Sequence, residues 1–186
     1  MPAMRRREVV QFLGAALALS FVPRDVDAAI KFGEDLHLRL GDVPFRTLNR
    51  DQRLLVTAIA EMIIPETDTL GATSAKVPEF IDLIVTDWMS DDERAAFLAG
   101  LSDIDARSAT LGSPHFVDLP PEKKVELLSA LDRARAEKAG AGHAFARIKG
   151  LTVYGYFTSK RVEQEILKVR MFFNGYQGNV PFTPAV

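Results

Sequence analysis

The sequence contains no cysteine, and this absence removes several classes of site at once. Disulfides, zinc ribbons, thiol nucleophiles and iron–sulfur ligation are all excluded. Histidine is scarce as well, and no two of His37, His115 and His143 are three or four residues apart. A helical pair of histidines that binds a metal is therefore excluded too.

The sequence also has no large excess of charge of one sign and no long hydrophobic run. The net charge of the 186 residues is −2, with 47% apolar and 26% charged residues. No basic face is indicated, so we do not expect nucleic acid to be a partner. The length and the apolar fraction fit one globular domain with a real core.

Catalytic motifs are missing from the chain. It has no Gly-rich dinucleotide fingerprint, no Lys-containing P-loop and no Gly-x-Ser-x-Gly elbow. Glu34 and His37 have the Glu-x-x-His spacing of di-iron bundles, but such a site needs a second copy. Glycines stand three residues before His115 and His143, so that copy is absent. We interpret Glu34 and His37 as solvated side chains and predict no catalytic, cofactor-binding or metal-binding residue.

The N-terminus has the features of an export signal. Arg6 and Arg7 are followed by a spacer and two apolar residues, Val9 and Val10. The apolar run 12–22 is far shorter than the roughly 20 residues that span a membrane. Paired arginines before a short, weakly apolar run predict a twin-arginine signal, read by a translocase that passes folded proteins.

A cleavage site follows this signal. Val26 and Ala28 are small or branched residues at the positions that a signal peptidase reads. We therefore predict a signal peptide over residues 1–28, cut between Ala28 and Ala29, and a periplasmic location. The alternatives are a basic N-terminal arm or an uncleaved anchor.

The remaining chain divides into three parts. Residues 29–46 have glycines, a proline and no clear period, which predicts an extended lead-in with at most a short strand. Residues 47–170 repeat apolar residues at helical spacing, with capping boxes that begin at Asn49 and Ser90. Residues 171–186 predict an extended aromatic tail. The expected fold is all-α, an irregular bundle of five or six helices.

Aromatic residues concentrate in two places near the C-terminus. Because aromatic side chains are enriched in interface cores, we predict that both groups contribute to a partner surface. The alternative is that each group belongs to this chain's own core. The residues are Tyr154, Tyr156 and Phe157 at a helix end, and Phe172, Phe173, Tyr176 and Phe182 in the tail.

Three segments resemble one known family. Residues 63–72 are similar to the Ile-Pro-x-Thr-Asp-x-x-Gly-Ala signature of the gluconate 2-dehydrogenase subunit 3 family, and residues 151–159 resemble a second family segment. Residues 175–181 resemble its closing segment. Asn179 stands where that segment often has a cysteine, so the disulfide of some members is unavailable here. The resemblance covers about residues 47–182 and agrees with the predicted export signal.

This resemblance implies a non-catalytic small subunit of a periplasmic dehydrogenase complex. In the family, the large subunit holds FAD and oxidises a sugar, sugar acid or alcohol, and a multihaem cytochrome c often accepts the electrons. The small subunit supplies the export signal and supports maturation of the large one. The cofactors would therefore belong to the partners, with none in this chain. The alternatives are a stand-alone periplasmic metal-dependent enzyme and a small-molecule binding module, for which the sequence offers no motif.

Overall fold

The computed structural model describes residues 25–40, 45–134 and 139–167. The predicted tail and all of the predicted signal before residue 25 lie outside these ranges, including Arg6, Arg7, Val9 and Val10. The other end of the predicted signal, with the cleavage site, is described.

The described residues form helices, turns and loops, with no strand among them, which confirms the all-α prediction. A 3₁₀ turn, Phe116–Asp118, separates two of the helices, and a π-helical segment, Glu163–Leu167, follows the last one. Within residues 25–40, 45–134 and 139–167 there are seven α-helices: α1 (Val26–Leu40), α2 (Arg50–Ile63), α3 (Val77–Asp87), α4 (Asp91–Ala109), α5 (Pro121–Arg133), α6 (Gly140–Phe157) and α7 (Lys160–Val162).

Helix α1 corrects the prediction of an extended lead-in over residues 29–46. Ala29, Leu36 and Leu40 are buried along one face of the helix, a helical stripe that the glycines of this segment obscured. Gly33 does not break the helix because it lies at a close contact. A Cβ on this residue would be 2.6 Å from Cβ of Thr158 at the end of α6.

Local sequence signals set the starts of two other helices. At α2, the Asn49 side chain accepts a hydrogen bond from the Gln52 backbone and the Gln52 side chain accepts one from the Asn49 backbone. Ser90 and Glu93 form the same reciprocal pair at α4. Both predicted capping boxes are confirmed, and each satisfies backbone N–H groups that a helix start leaves unpaired.

Helix α6 lies at the centre of the fold and packs against α2, α3, α4 and α5. Its buried face includes Ile148, Leu151 and Tyr154. Helix α4 approaches it closely at Gly100, where a Cβ would be 2.6 Å from Cβ of Ala144. Small residues at this crossing let the two backbones come together, so α6 is enclosed on several sides.

A buried carboxylate fixes the chain between α1 and α2. Asp82 on α3 is 3% exposed and accepts three backbone hydrogen bonds. The donors are the N–H groups of Arg46 at 2.8 Å, Thr47 at 3.1 Å and Leu48 at 2.8 Å. These bonds satisfy a carboxylate that would otherwise be costly to bury, and they hold the entrance to α2 against α3.

Candidate functional site

The two sequence segments with the most specific motifs meet in the fold. Residues 63–72 form the end of α2 and the loop after it, and residues 151–159 form the end of α6. The hydroxyl of Tyr156 donates a hydrogen bond of 2.7 Å to the Leu70 carbonyl, across 86 positions of sequence. Burial raises the pKa of Tyr156, so its hydroxyl remains a donor at neutral pH. This contact joins the two motifs into one structural unit.

Glu61 of α2 holds the loop from its other side. Its carboxylate accepts from the Glu66 backbone at 2.8 Å, from the Thr73 backbone at 3.1 Å and from the Thr73 hydroxyl at 2.7 Å. Burial raises the pKa of Glu61, but the hydrogen bonds from Thr73 and Glu66 outweigh it and lower the pKa. The charged carboxylate therefore acts as a bridge between the two ends of the loop.

The glycine of the loop motif is required by this close packing. A Cβ on Gly71 would be 2.6 Å from the Glu66 nitrogen and would collide with the Glu61 carboxylate. After this point the Ala72 nitrogen donates to the Ile64 carbonyl at 2.9 Å. Arg161 of α7 adds a bond of 2.9 Å to the Ser74 carbonyl. The loop is thus anchored by α2, α6 and α7 together.

The tip of the loop, residues 65–69, is exposed. Its two acids make hydrogen bonds inside the loop: Glu66 accepts from the Ser74 hydroxyl at 2.5 Å, and Asp68 from the Thr67 hydroxyl at 3.0 Å. The tip exposes carboxylates and hydroxyls, and the rest of the loop is held in place by α2, α6 and α7. This arrangement suits hydrogen bonding to another surface.

At the end of α6, three consecutive residues make separate long-range contacts. The Tyr154 hydroxyl donates to the Ala29 carbonyl of α1 at 2.6 Å, and burial raises the Tyr154 pKa. At Gly155, a Cβ would be 2.7 Å from the Phe80 ring, so only glycine fits without displacement. Tyr156 contacts the loop, as described above. The motif therefore binds α1, α3 and the loop to one helix end.

Burial corrects part of the predicted partner surface. Tyr154 is 0% and Tyr156 5% exposed, so both belong to this chain's own core. Phe157 is half-buried and packs edge-on against Tyr156, with ring centroids 5.3 Å apart. The other four predicted interface residues, Phe172, Phe173, Tyr176 and Phe182, lie outside the described residues.

His37 is mostly buried, contrary to the prediction that the Glu34–His37 pair is solvated. It projects from α1 onto the end of α6, where its Nε2–H donates to the Gly155 carbonyl at 2.7 Å. Its ring stacks on Phe80 with centroids 4.8 Å apart. Burial lowers the pKa of His37 to about 4, although the bond to Gly155 acts in the opposite direction. The neutral imidazole satisfies one of the carbonyls that a helix end leaves unpaired.

The other candidate ligands do not combine with His37 into a metal-binding group among the described residues. His115 lies on the surface 3.4 Å from Asp105. Burial raises the pKa of Glu34, with the negative charges of Glu163 and Asp35 contributing. Among the described residues, no group of three or more His, Asp or Glu side chains is arranged to hold a metal ion. In the same part of the chain, no helix has the combined length and apolarity needed to cross a bilayer.

The residues described so far define an all-α domain in which two sequence motifs are joined by the part-buried hydrogen bond from Tyr156 to Leu70. A family model described as gluconate 2-dehydrogenase subunit 3 matches residues 50–175, more than half of the 186-residue chain. The chain belongs to this family, which confirms the resemblance found in the sequence. A search of the curated proteins and a search of the solved structures found no match to this chain.

Proposed function

We propose that this chain is the small, non-catalytic subunit of a periplasmic, FAD-dependent dehydrogenase complex. The observation that carries the proposal is the family match over residues 50–175 on an all-α body. In this proposal the FAD belongs to the large subunit, which oxidises a sugar, sugar acid or alcohol. A multihaem cytochrome c is the proposed electron acceptor. This chain holds no cofactor and contributes binding, export and maturation.

The motif geometry supports a scaffolding role. Tyr154 and Tyr156 direct their hydroxyls at backbone carbonyls of this chain, and His37 donates to the Gly155 carbonyl. If this part of the fold were a catalytic site, these polar aromatic side chains would be the first candidates for its acid or base. Here they hold α1, α6 and the loop after α2 in one arrangement. A rigid body with an exposed loop tip suits a subunit that binds a partner.

Affinity purification from the native host tests the partnership. The tagged full chain should bring down a flavoprotein whose oxidation of sugars, sugar acids or alcohols requires the complex. The isolated chain should show no turnover with any of these substrates. A cofactor bound to the isolated chain, with turnover of substrate, would overturn the proposal.

Maturation is a separate part of the proposal. We expect the large subunit expressed without this chain to contain less FAD and to lack activity, and co-expression to restore both. The flavin absorbance per large subunit measures this directly. A large subunit that is fully flavinylated and active alone would contradict the maturation role while leaving the partnership open to the purification test.

The paired arginines supply the export test. Arg6→Lys with Arg7→Lys should retain both this chain and its partner in the cytoplasm, since the proposed signal depends on the pair. Arg5→Lys with Arg24→Lys makes the same chemical change outside the pair and should leave export unchanged. Normal periplasmic dehydrogenase activity with the first double variant would contradict shared export.

The predicted tail remains part of the proposed partner surface. Deletion of residues 171–186 should weaken co-purification of the large subunit, because it removes Phe172, Phe173, Tyr176 and Phe182. The helical content and the melting temperature of the truncated chain serve as the control for folding. Unchanged binding by a folded, truncated chain would reject the tail's role.

A further inference from the structure

The predicted cleavage site lies inside a docked helix. The Ala28–Ala29 bond belongs to the first turn of α1, which begins at Val26. Asp25 caps this turn, since its carboxylate accepts a hydrogen bond of 2.9 Å from the Ala28 backbone. Its own carbonyl accepts one of 2.8 Å from the Ala29 backbone. Both sides of the bond are therefore held in helical geometry.

The same turn is fastened to the body of the protein. Ala29 is 1% exposed, and its carbonyl accepts the hydrogen bond of 2.6 Å from the fully buried Tyr154 hydroxyl. One turn further along α1, Gly33 lies against Thr158 so closely that any side chain there would collide. A protease binds its substrate as an extended strand, a mode that needs free backbone groups. The docked turn does not offer them.

We propose that the folded chain protects the Ala28–Ala29 bond, so that the leader is not removed at this bond once the body has folded. The proposal rests on the function of residues 1–28 as an export leader. A twin-arginine substrate folds before it crosses the membrane, so this leader would meet the peptidase with α1 already docked.

The product of cleavage would also be unfavourable. Cutting this bond creates an α-ammonium group on Ala29, a residue that is 1% exposed. It places positive charge at a helix N-terminus, where the helix dipole disfavours it, and removes the cap supplied by Asp25. The folded state therefore opposes cleavage in two ways: the protease cannot reach the bond in an extended form, and the cut product is less stable than the intact chain.

Limited digestion of the purified full chain with elastase, which cuts after small residues, tests the protection without relying on export. Mass spectrometry follows the rate of cutting at Ala28–Ala29. Tyr154→Phe removes only the hydroxyl that fastens this turn, and we expect it to raise that rate about fivefold, the effect of losing one typical hydrogen bond. Gly33→Ala should raise it further, because it forces α1 away from Thr158.

Tyr156→Phe is the matched control. It removes an equivalent hydroxyl of α6, which bonds to Leu70 instead of α1, and should leave the rate of cutting at Ala28–Ala29 unchanged. Wild-type chain cut at this bond as fast as the urea-unfolded chain would overturn the proposal. So would equal rates for wild type, Tyr154→Phe and Gly33→Ala.

The N-terminus of the exported chain gives an independent result. We expect intact-mass measurement to show that the periplasmic chain retains residue 28, because the leader is either uncut or cut at a bond before Ala28. Cleavage after Ala28 in most molecules would overturn the proposal. If the chain is not exported at all, the proposed function fails, and the elastase rates still decide whether the bond is protected.

Discussion

Acid should destabilise this protein through His37, which stays neutral in the folded chain over a pH range in which the unfolded chain takes up a proton. The imidazole lies between the Phe80 ring at 4.8 Å and the Gly155 carbonyl at 2.7 Å. Burial lowers its pKa from 6.5 to about 4. The unfolded chain therefore takes up a proton as the pH falls below 6.5, while the folded chain does not.

The sign and size of the effect follow from these two pKa values. A lowered histidine pKa gives a contribution that is complete above pH 6.5 and is lost progressively down to about pH 4. Between pH 7 and pH 5, the linkage relation gives a loss of about 2 kcal/mol of unfolding free energy. This is an upper limit because part of the ring is exposed and solvent screens its charge.

Urea unfolding of wild type and His37→Gln at pH 7, 6 and 5 measures the contribution. Glutamine keeps a donor for the Gly155 carbonyl and does not titrate. Glu34 has the opposite effect on stability as the pH falls, because its raised pKa makes the folded state bind a proton before the unfolded state does. Glu34 is present in both chains, so its effect cancels when the unfolding free energies of wild type and His37→Gln are subtracted. The stability advantage of wild type should shrink by about 2 kcal/mol between pH 7 and pH 5. A stability difference that stays constant from pH 7 to pH 5 would show that His37 does not keep a lowered pKa in the folded chain.

Three substitutions test other parts of the core, each measured as the change in unfolding free energy by urea titration. Gly155→Ala should cost about 1–3 kcal/mol because the new Cβ meets the buried Phe80 ring; a neutral result would show that the ring can move. Asp82→Asn should lower the unfolding free energy by about 1–3 kcal/mol. The amide nitrogen of asparagine would face one of the three backbone N–H groups that donate to the carboxylate, and two donors repel each other. Thr152→Val should be neutral or stabilising by up to about 1 kcal/mol, because this buried hydroxyl has no hydrogen-bond partner among the described residues. A clear loss for Thr152→Val would mean that the hydroxyl is satisfied in solution.

Much of the fold was predictable because it depends on neighbours in sequence. The capping boxes at Asn49 and Ser90 involve residues three positions apart, so the motif and the structure coincide. Apolar spacing of three and four residues indicated helices along most of residues 47–167.

The candidate site was predicted less well because its contacts are remote in sequence. The aromatic pattern predicts a partner surface at Tyr154 and Tyr156, because an aromatic cluster looks the same in sequence whether it is buried or exposed. The partners of their hydroxyls, Ala29 and Leu70, lie 125 and 86 positions away. No local pattern connects such pairs.

Patterns between neighbouring residues were enough to predict the class of protein. Helical periodicity indicated an all-α fold, the absence of cysteine excluded whole classes of site, and three short segments resembled the family. Three other features depend on how the helices pack: α1 is a helix, His37 is a neutral partner of Gly155, which is 118 positions away, and Ala29 is buried. Burial arises from surfaces that are distant along the chain. It determines both the conformation of an ambiguous segment and the pKa of the side chains on that segment.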